Sequence, residues 1–230
     1  MGGCTPNTAS GTVTVTPAPT ISVSNQIICE GDTAVLVSTP SQPGGTYTWG
    51  TSNASSIITG QGTSSLTVNP SNTTTYGVTY TLGGCTPAFS TVAVTVDTVP
   101  VLTYTLSVPQ ICSGDNALID LISNLLGTTF SWTVVQNGVT GASAGTGNQI
   151  NQTLTTTGNT SGTAVYTVTP SSVSCIGSPV TITIVVNPSP TATVTPQNQT
   201  IYSGQTASLS ASSNLTGGSY LWSPGGQTTA

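Results

Sequence analysis

The sequence predicts an all-β protein of tandem antiparallel β-sandwich domains, and three observations carry that reading. First, a short phrase recurs. Cys29-Glu30-Gly31-Asp32, Cys112-Ser113-Gly114-Asp115 and Tyr202-Ser203-Gly204-Gln205 each open an apolar run, and each is followed twenty residues on by a tryptophan: Trp49, Trp132 and Trp222. Two of the three then reach a tyrosine, Tyr76 or Tyr166, nine residues before a second cysteine, Cys85 or Cys175. Fixed spacing of this kind marks an internal repeat, and the repeat sets the architecture. Second, apolar residues alternate with Thr or Ser at a period of two, the spacing of half-buried strands, with no helical period anywhere. Third, the alternating runs are bounded by Gly, Pro and Asn clusters that read as turns.

Pro-flanked joints at Pro17-Ala18-Pro19, Val99-Pro100 and Asn187-Pro188-Ser189-Pro190 divide the chain, because proline stiffens a connection and stops a strand from running on. The predicted organisation is 1–18 as the last strands of a preceding repeat, 19–100 and 101–190 as complete repeats, and 191–230 as the first half of another. In the tail, Val13 and Val15 alternate with threonine. In the first repeat the strands fall near 20–28, 32–38, 45–51, 56–59, 64–69, 75–82 and 89–97. About seven strands per repeat, with a tryptophan on the third, describe an immunoglobulin-like sandwich. Tyr47 and Trp49 share one face, as do Phe130 and Trp132, and Tyr220 and Trp222. The second repeat has seven extra residues between its tryptophan and tyrosine, which predicts a longer loop between its third and fifth strands.

Composition removes several functions. The chain holds five acidic residues and no Lys, Arg or His, so 2 % of its residues are charged, against roughly 25 % in ordinary soluble proteins. Without cations there is nothing to neutralise phosphates, so nucleic acid is not expected as a partner, and an anionic membrane surface is excluded for the same reason. Disorder is not expected either: 35 % of residues are hydrophobic, more than a disordered chain carries. No apolar run is long enough to span a bilayer. No charged and apolar leader follows Met1, and Pro6 breaks the myristoylation pattern. The chain is expected to be part of a longer polypeptide whose export signal and anchor lie elsewhere. Five cysteines in so polar a chain point to an oxidising, extracellular setting.

The pattern Cys29, Gly31, Asp32, Leu36, Trp49, Tyr76, Val78 and Cys85 resembles the Ig-like repeats of large Bacteroidota surface proteins, many of them exported by type IX secretion. The resemblance covers nearly the whole chain. It implies a module of stalks, adhesins and spacers rather than one activity. Tyr202 stands where the third repeat would carry its cysteine. Asp32-Thr33-Ala34 and Asp97-Thr98-Val99 resemble the Asp-Thr-hydrophobic acceptors of O-glycosylation in that group, which makes Thr33 and Thr98 candidate modification sites. Asn-x-Ser/Thr sequons also occur at Asn53, Asn72, Asn151, Asn159, Asn198 and Asn214.

An enzyme is not expected. General acid–base catalysis draws chiefly on His, Glu, Asp and Lys, and only Glu30, Asp32, Asp97, Asp115 and Asp120 are present. Glu30 and Asp32 flank a glycine turn and read first as turn-capping groups. A weak calcium site is the sharper alternative, since Ca²⁺ needs six to eight oxygens and backbone carbonyls could supply some. Zinc finds no ligand set, and no cofactor is expected. Trp49, Trp132, Trp222, Tyr76 and Tyr166 are expected in the core, the tyrosines as corner residues with a structural hydrogen bond. The alternative for the tryptophans is a sugar platform.

The cysteines leave two schemes open. Co-occurrence within each repeat favours Cys29–Cys85 and Cys112–Cys175, each worth about 4 kcal/mol in the chain-entropy account. Geometry favours a staggered bond between Cys29 of one repeat and Cys175 of the next, because the two turns lie at opposite ends of a sandwich. The partner of Cys4 would lie outside the chain. The expected function is mechanical: an extracellular shaft of a surface filament, stalk or giant adhesin. Its partners would be neighbouring repeats, other copies in a filament, and surface glycans. The alternatives are a tandem carbohydrate-binding module and a non-catalytic spacer of a secreted enzyme.

Overall fold

A computed structural model describes residues 2–52 and 54–223. The chain forms two compact units, 1–98 and 99–230. Every described element of regular structure is a strand apart from one turn of 3₁₀-helix at Ala54–Ser56.

The first unit contains β1 (Ile21–Ser22), β2 (Gln26–Cys29), β3 (Ala34–Val37), β4 (Thr39–Pro40), β5 (Thr46–Thr51), β6 (Ile57–Thr59), β7 (Ser65–Val68), β8 (Thr74–Thr81) and β9 (Ala88–Asp97). Two sheets pack face to face, one ordered β2-β9-β8-β5 and the other β3-β7-β6, with β1 and β4 pairing at the side. All pairs are antiparallel except β2 with β9, which run parallel. The alternation seen in the sequence becomes an inside and an outside. Leu36, Trp49, Leu66, Val68, Tyr76, Val78, Val92 and Val94 meet in the core, and the residues between them turn outward.

The second unit contains β10 (Leu102–Leu106), β11 (Gln110–Cys112), β12 (Asn116–Ser123), β13 (Thr129–Asn137), β14 (Val139–Thr140), β15 (Gly145–Thr146), β16 (Gln149–Thr153), β17 (Thr155–Thr156), β18 (Gly162–Ser171), β19 (Val180–Asn187), β20 (Ala192–Thr195) and β21 (Ser210–Ser213). Its sheets are β10-β12-β16 and β11-β19-β18-β13-β15. The seven extra residues do not form a simple loop. They lengthen the third strand and build β14 and β15, and β15 joins the outer edge of the larger sheet instead of the smaller one. The register is otherwise repeated: Trp49 lies opposite Val78 and Trp132 opposite Val168, each two residues beyond the core tyrosine.

Two sequence expectations fail here. The tail forms no strand between residues 2 and 20, and Val13 and Val15 stand 88 % and 83 % exposed. Alternation proposes a strand, but unpaired peptide groups need a neighbouring strand to hold it. In the third repeat, among the described residues, only β20 and β21 pair, and Trp222 is half-buried instead of buried. No second sheet closes over it among the described residues.

Candidate functional site

The recurring phrase builds one turn three times. Gly31, Gly114 and Gly204 have φ of 92°, 101° and 86°, a conformation that only glycine adopts without strain. In each turn the fourth residue's N–H donates to the first residue's carbonyl at 3.0 Å, from Asp32 to Cys29, Asp115 to Cys112 and Gln205 to Tyr202. Asp115 Oδ2 accepts the N–H of Cys112 at 3.1 Å, and Gln205 Oε1 accepts that of Tyr202 at 3.0 Å. An amide thus fills in the third turn the role that a carboxylate fills in the second, so that role does not require a charge. Among the described residues no three His, Cys, Asp or Glu side chains gather as a metal site.

The aromatic anchors are internal. Trp49 is 4 % and Trp132 7 % exposed, and Tyr76 and Tyr166 are fully buried. The indole N–H of Trp49 donates to the Thr63 carbonyl at 2.9 Å, and that of Trp132 to the Ser143 carbonyl at 3.1 Å. With their rings enclosed, neither tryptophan offers the flat exposed face that a sugar platform requires. The tyrosine hydroxyls reach side chains rather than an upstream backbone carbonyl. Tyr76 shares a 2.6 Å bond with Ser56 Oγ, and Tyr166 donates to Gln152 Oε1 at 2.9 Å. Burial pushes the Tyr166 phenol from 10.0 up to about 12.

The cysteines depart from the pairing within repeats. Cys29 and Cys175 are each in a disulfide, whereas Cys4, Cys85 and Cys112 are free thiols. The strand directions give the reason. Cys29 ends β2 beside Asp97, at the far end of β9, while Cys85 sits in the turn that precedes β9. Nine residues of strand separate those ends, roughly 30 Å at about 3.3 Å per residue, and disulfide Cα atoms lie within about 7 Å. Cys112 beside Asn187 and Cys175 ahead of Val180 are separated by β19 in the same way. Cys29–Cys85 and Cys112–Cys175 are therefore not made.

Thr33 and Thr98 are both exposed. Thr98 lines a polar cleft of about 430 Å³ with Glu30, Asn72 and Thr73. The sequon residues Asn72, Asn151, Asn159, Asn198 and Asn214 are exposed too, and Asn53 lies outside the described residues.

One feature was not anticipated. On the outward face of β5, β8 and β9, Gly50 lies directly opposite Gly77, and the two leave a trough of about 320 Å³ walled by Thr48, Thr75, Thr79, Thr91 and Phe89. Phe89 is 65 % exposed and its ring rests on Gly77, where a Cβ would stand 2.9 Å from Cε2. The second repeat fills both glycine positions with Thr133 and Thr167, again directly opposed. Comparing the residue after each anchor across the repeats exposes the difference; the alternation pattern alone does not.

Comparison with known proteins bears on both units. Residues 17–100 match the Ig-like domain family described as CHU_C associated, and residues 109–190 match the PKD-like domain family. No curated protein sequence matches. Among solved structures, the eight N-terminal Ig domains of Down Syndrome Cell Adhesion Molecule are similar at 13 % identity and TM-score 0.52, over 76 % of this chain and 25 % of that one. Drosophila OTK extracellular domains 3–5 are similar at 10 % identity and TM-score 0.45, over 73 % and 60 %. Murine CEACAM1b is similar at 14 % identity and TM-score 0.37, over 72 % and 99 %. At 13 % identity the likeness to Down Syndrome Cell Adhesion Molecule speaks to fold alone. Both matched domain types are non-catalytic, and no helix among the described residues is long and apolar enough to cross a membrane. The chain is a tandem of β-sandwich domains, the first matching the CHU_C-associated Ig-like family and the second the PKD-like family.

Proposed function

We propose that the chain is a load-bearing segment of an extracellular surface protein, the shaft of a filament, stalk or giant adhesin of a bacterium using type IX export. The observation that carries this reading is the repetition of one internal design, turn, tryptophan and tyrosine, in successive sandwiches. Repetition of the interior makes a spacer of adjustable length, and nothing in it turns over a substrate. The bonded cysteines and the CHU_C-associated domain support a cell-surface location. Low charge reduces repulsion between copies, so lateral association into a filament fits the same role. Sugar on Thr33 and Thr98 would supply the solubility that charge does not.

The free state of Cys85 and Cys112 favours the staggered scheme, Cys29 with Cys175, which would fasten one repeat to the next. Chymotryptic peptides separated without reductant test it, trypsin having no site in this chain. A linked pair containing Cys29 and Cys175 supports the scheme, and a pair containing Cys85 or Cys112 sinks it. The function itself is tested by cryo-electron imaging of native material carrying the chain. Ordered rods of stacked sandwiches support a shaft. Isolated flexible beads beside a separate globular domain overturn it.

A further inference from the structure

We propose that the trough on the outer face of β5, β8 and β9 binds a neutral polysaccharide, with one sugar ring seated over Gly50 and Gly77 against Phe89. This goes beyond the load-bearing reading and stands or falls independently of it. Two glycines directly opposed on a sheet face weaken a strand pair, since neither has a side chain to pack across. The second repeat avoids that cost with Thr133 and Thr167. Phe89 covering Gly77 recovers part of it, an arrangement known to support sheets. Gly50, however, is left uncovered: a Cβ placed there meets nothing within 4 Å. Covering one glycine explains Phe89 but not the open floor beside it.

The chemistry of the walls selects the ligand. Thr48, Thr75, Thr79 and Thr91 offer hydroxyls that both donate and accept, which matches the hydroxyl pattern of a sugar. The exposed aromatic ring offers an apolar face to the C–H face of the same sugar. No charged side chain lines the trough, and the chain has no cation at all. An anionic polymer gains no ion pair here, whereas a neutral one forfeits none. The volume, about 320 Å³, lies at the small end of ligand sites, which run from roughly 300 to 1,000 Å³, and suits a single ring of a longer chain.

The test is titration of the ¹⁵N-labelled 230-residue chain with three neutral hexasaccharides, of β-1,4-linked glucose, β-1,4-linked N-acetylglucosamine and α-1,4-linked glucose, and with oligogalacturonate as the anionic control. Saturable shifts of the Gly50, Gly77, Thr79 and Thr91 amides with at least one neutral probe, and none with the anionic one, are expected. Phe89→Ala and Gly50→Thr are each expected to weaken binding at least tenfold. Gly50→Thr enters open space, so its spectrum away from the trough should stay as in the parent, which keeps lost binding separate from lost fold. The proposal is overturned if no neutral probe shifts these amides or if the shifts survive Gly50→Thr. It is also overturned if the face proves to hold a second copy, seen as self-association in sedimentation that Phe89→Ala abolishes.

Discussion

The two complete sandwiches share an interior and differ at their margins. Both set tryptophan opposite valine in the same register, and both close the tryptophan with an indole N–H bond to a carbonyl of the facing loop. The edge beside that tryptophan is handled differently. In the first unit the Gln61 carboxamide accepts the Trp49 N–H at 3.4 Å and donates to the Trp49 carbonyl at 3.2 Å, so one side chain stands in for a strand. In the second unit the extra residues supply a real strand, with Thr146 and Gly145 opposite Ser131 and Trp132. The core clusters differ as well: among the described residues sixteen buried hydrophobic residues cluster in the second unit and nine in the first. The two repeats thus keep the register around the tryptophan and vary the edge and the extent of the core about it, because a central core side chain has many neighbours to satisfy and a marginal one has few.

That comparison can be broken or sharpened by measurement. The largest effect is expected from the anchors. Trp49→Ala and Trp132→Ala should each cost about 3–5 kcal/mol, read by denaturant unfolding. The loss at Trp49 should abolish the smaller first core while the second unit survives its own loss as a weakened fold. Equal outcomes would mean that core size does not set tolerance. Next come the buried hydroxyls. Tyr76→Phe removes a 2.6 Å bond to Ser56 and should cost about 1–2 kcal/mol. Tyr166→Phe should cost less, because Gln152 Oε1 also accepts the Ser143 N–H at 3.0 Å.

Alkali should weaken the second unit through Tyr166. Its phenol stays protonated in the fold to about pH 12, whereas the unfolded chain releases that proton near 10.0. Across that window the unfolded state binds fewer protons, so stability falls as pH rises. The contribution is intact below pH 10 and is lost on approach to 12. Unfolding midpoints measured across this range should decline, and Tyr166→Phe should flatten the decline. The smallest effect belongs to Gln61→Ala, less than about 1 kcal/mol for an exposed edge. It should quicken hydrogen exchange at the Trp49 amide, and an unchanged exchange rate would show that Gln61 does not guard the edge.

Much of the fold was legible because period and spacing are local properties. The strands expected at 45–51, 75–82 and 89–97 match β5, β8 and β9 to within one residue at each end, since Thr and β-branched residues alternating between glycine turns permit little else. The glycine turns were legible for the same reason, since Gly31, Gly114 and Gly204 recur at a fixed place in the repeat. The tail strand and the core place of Trp222 were not, because each needs a partner sheet that periodicity does not report. The trough was missed because a glycine in a strand looks like weakness until its opposite number is known.

What the sequence determined alone was the repeat, its all-β class and a composition with five acidic residues and no cation. Each follows from composition or from spacings shorter than one sandwich. What only the tertiary structure decided was which residues stand opposite one another. The parallel pairing of β2 with β9 carries Cys29 to the end of the sheet remote from Cys85, and the register of β5 on β8 brings Gly50 to Gly77. Both are long-range pairings, fixed by how strands close over a common core, and no local pattern of side chains encodes the distance between them.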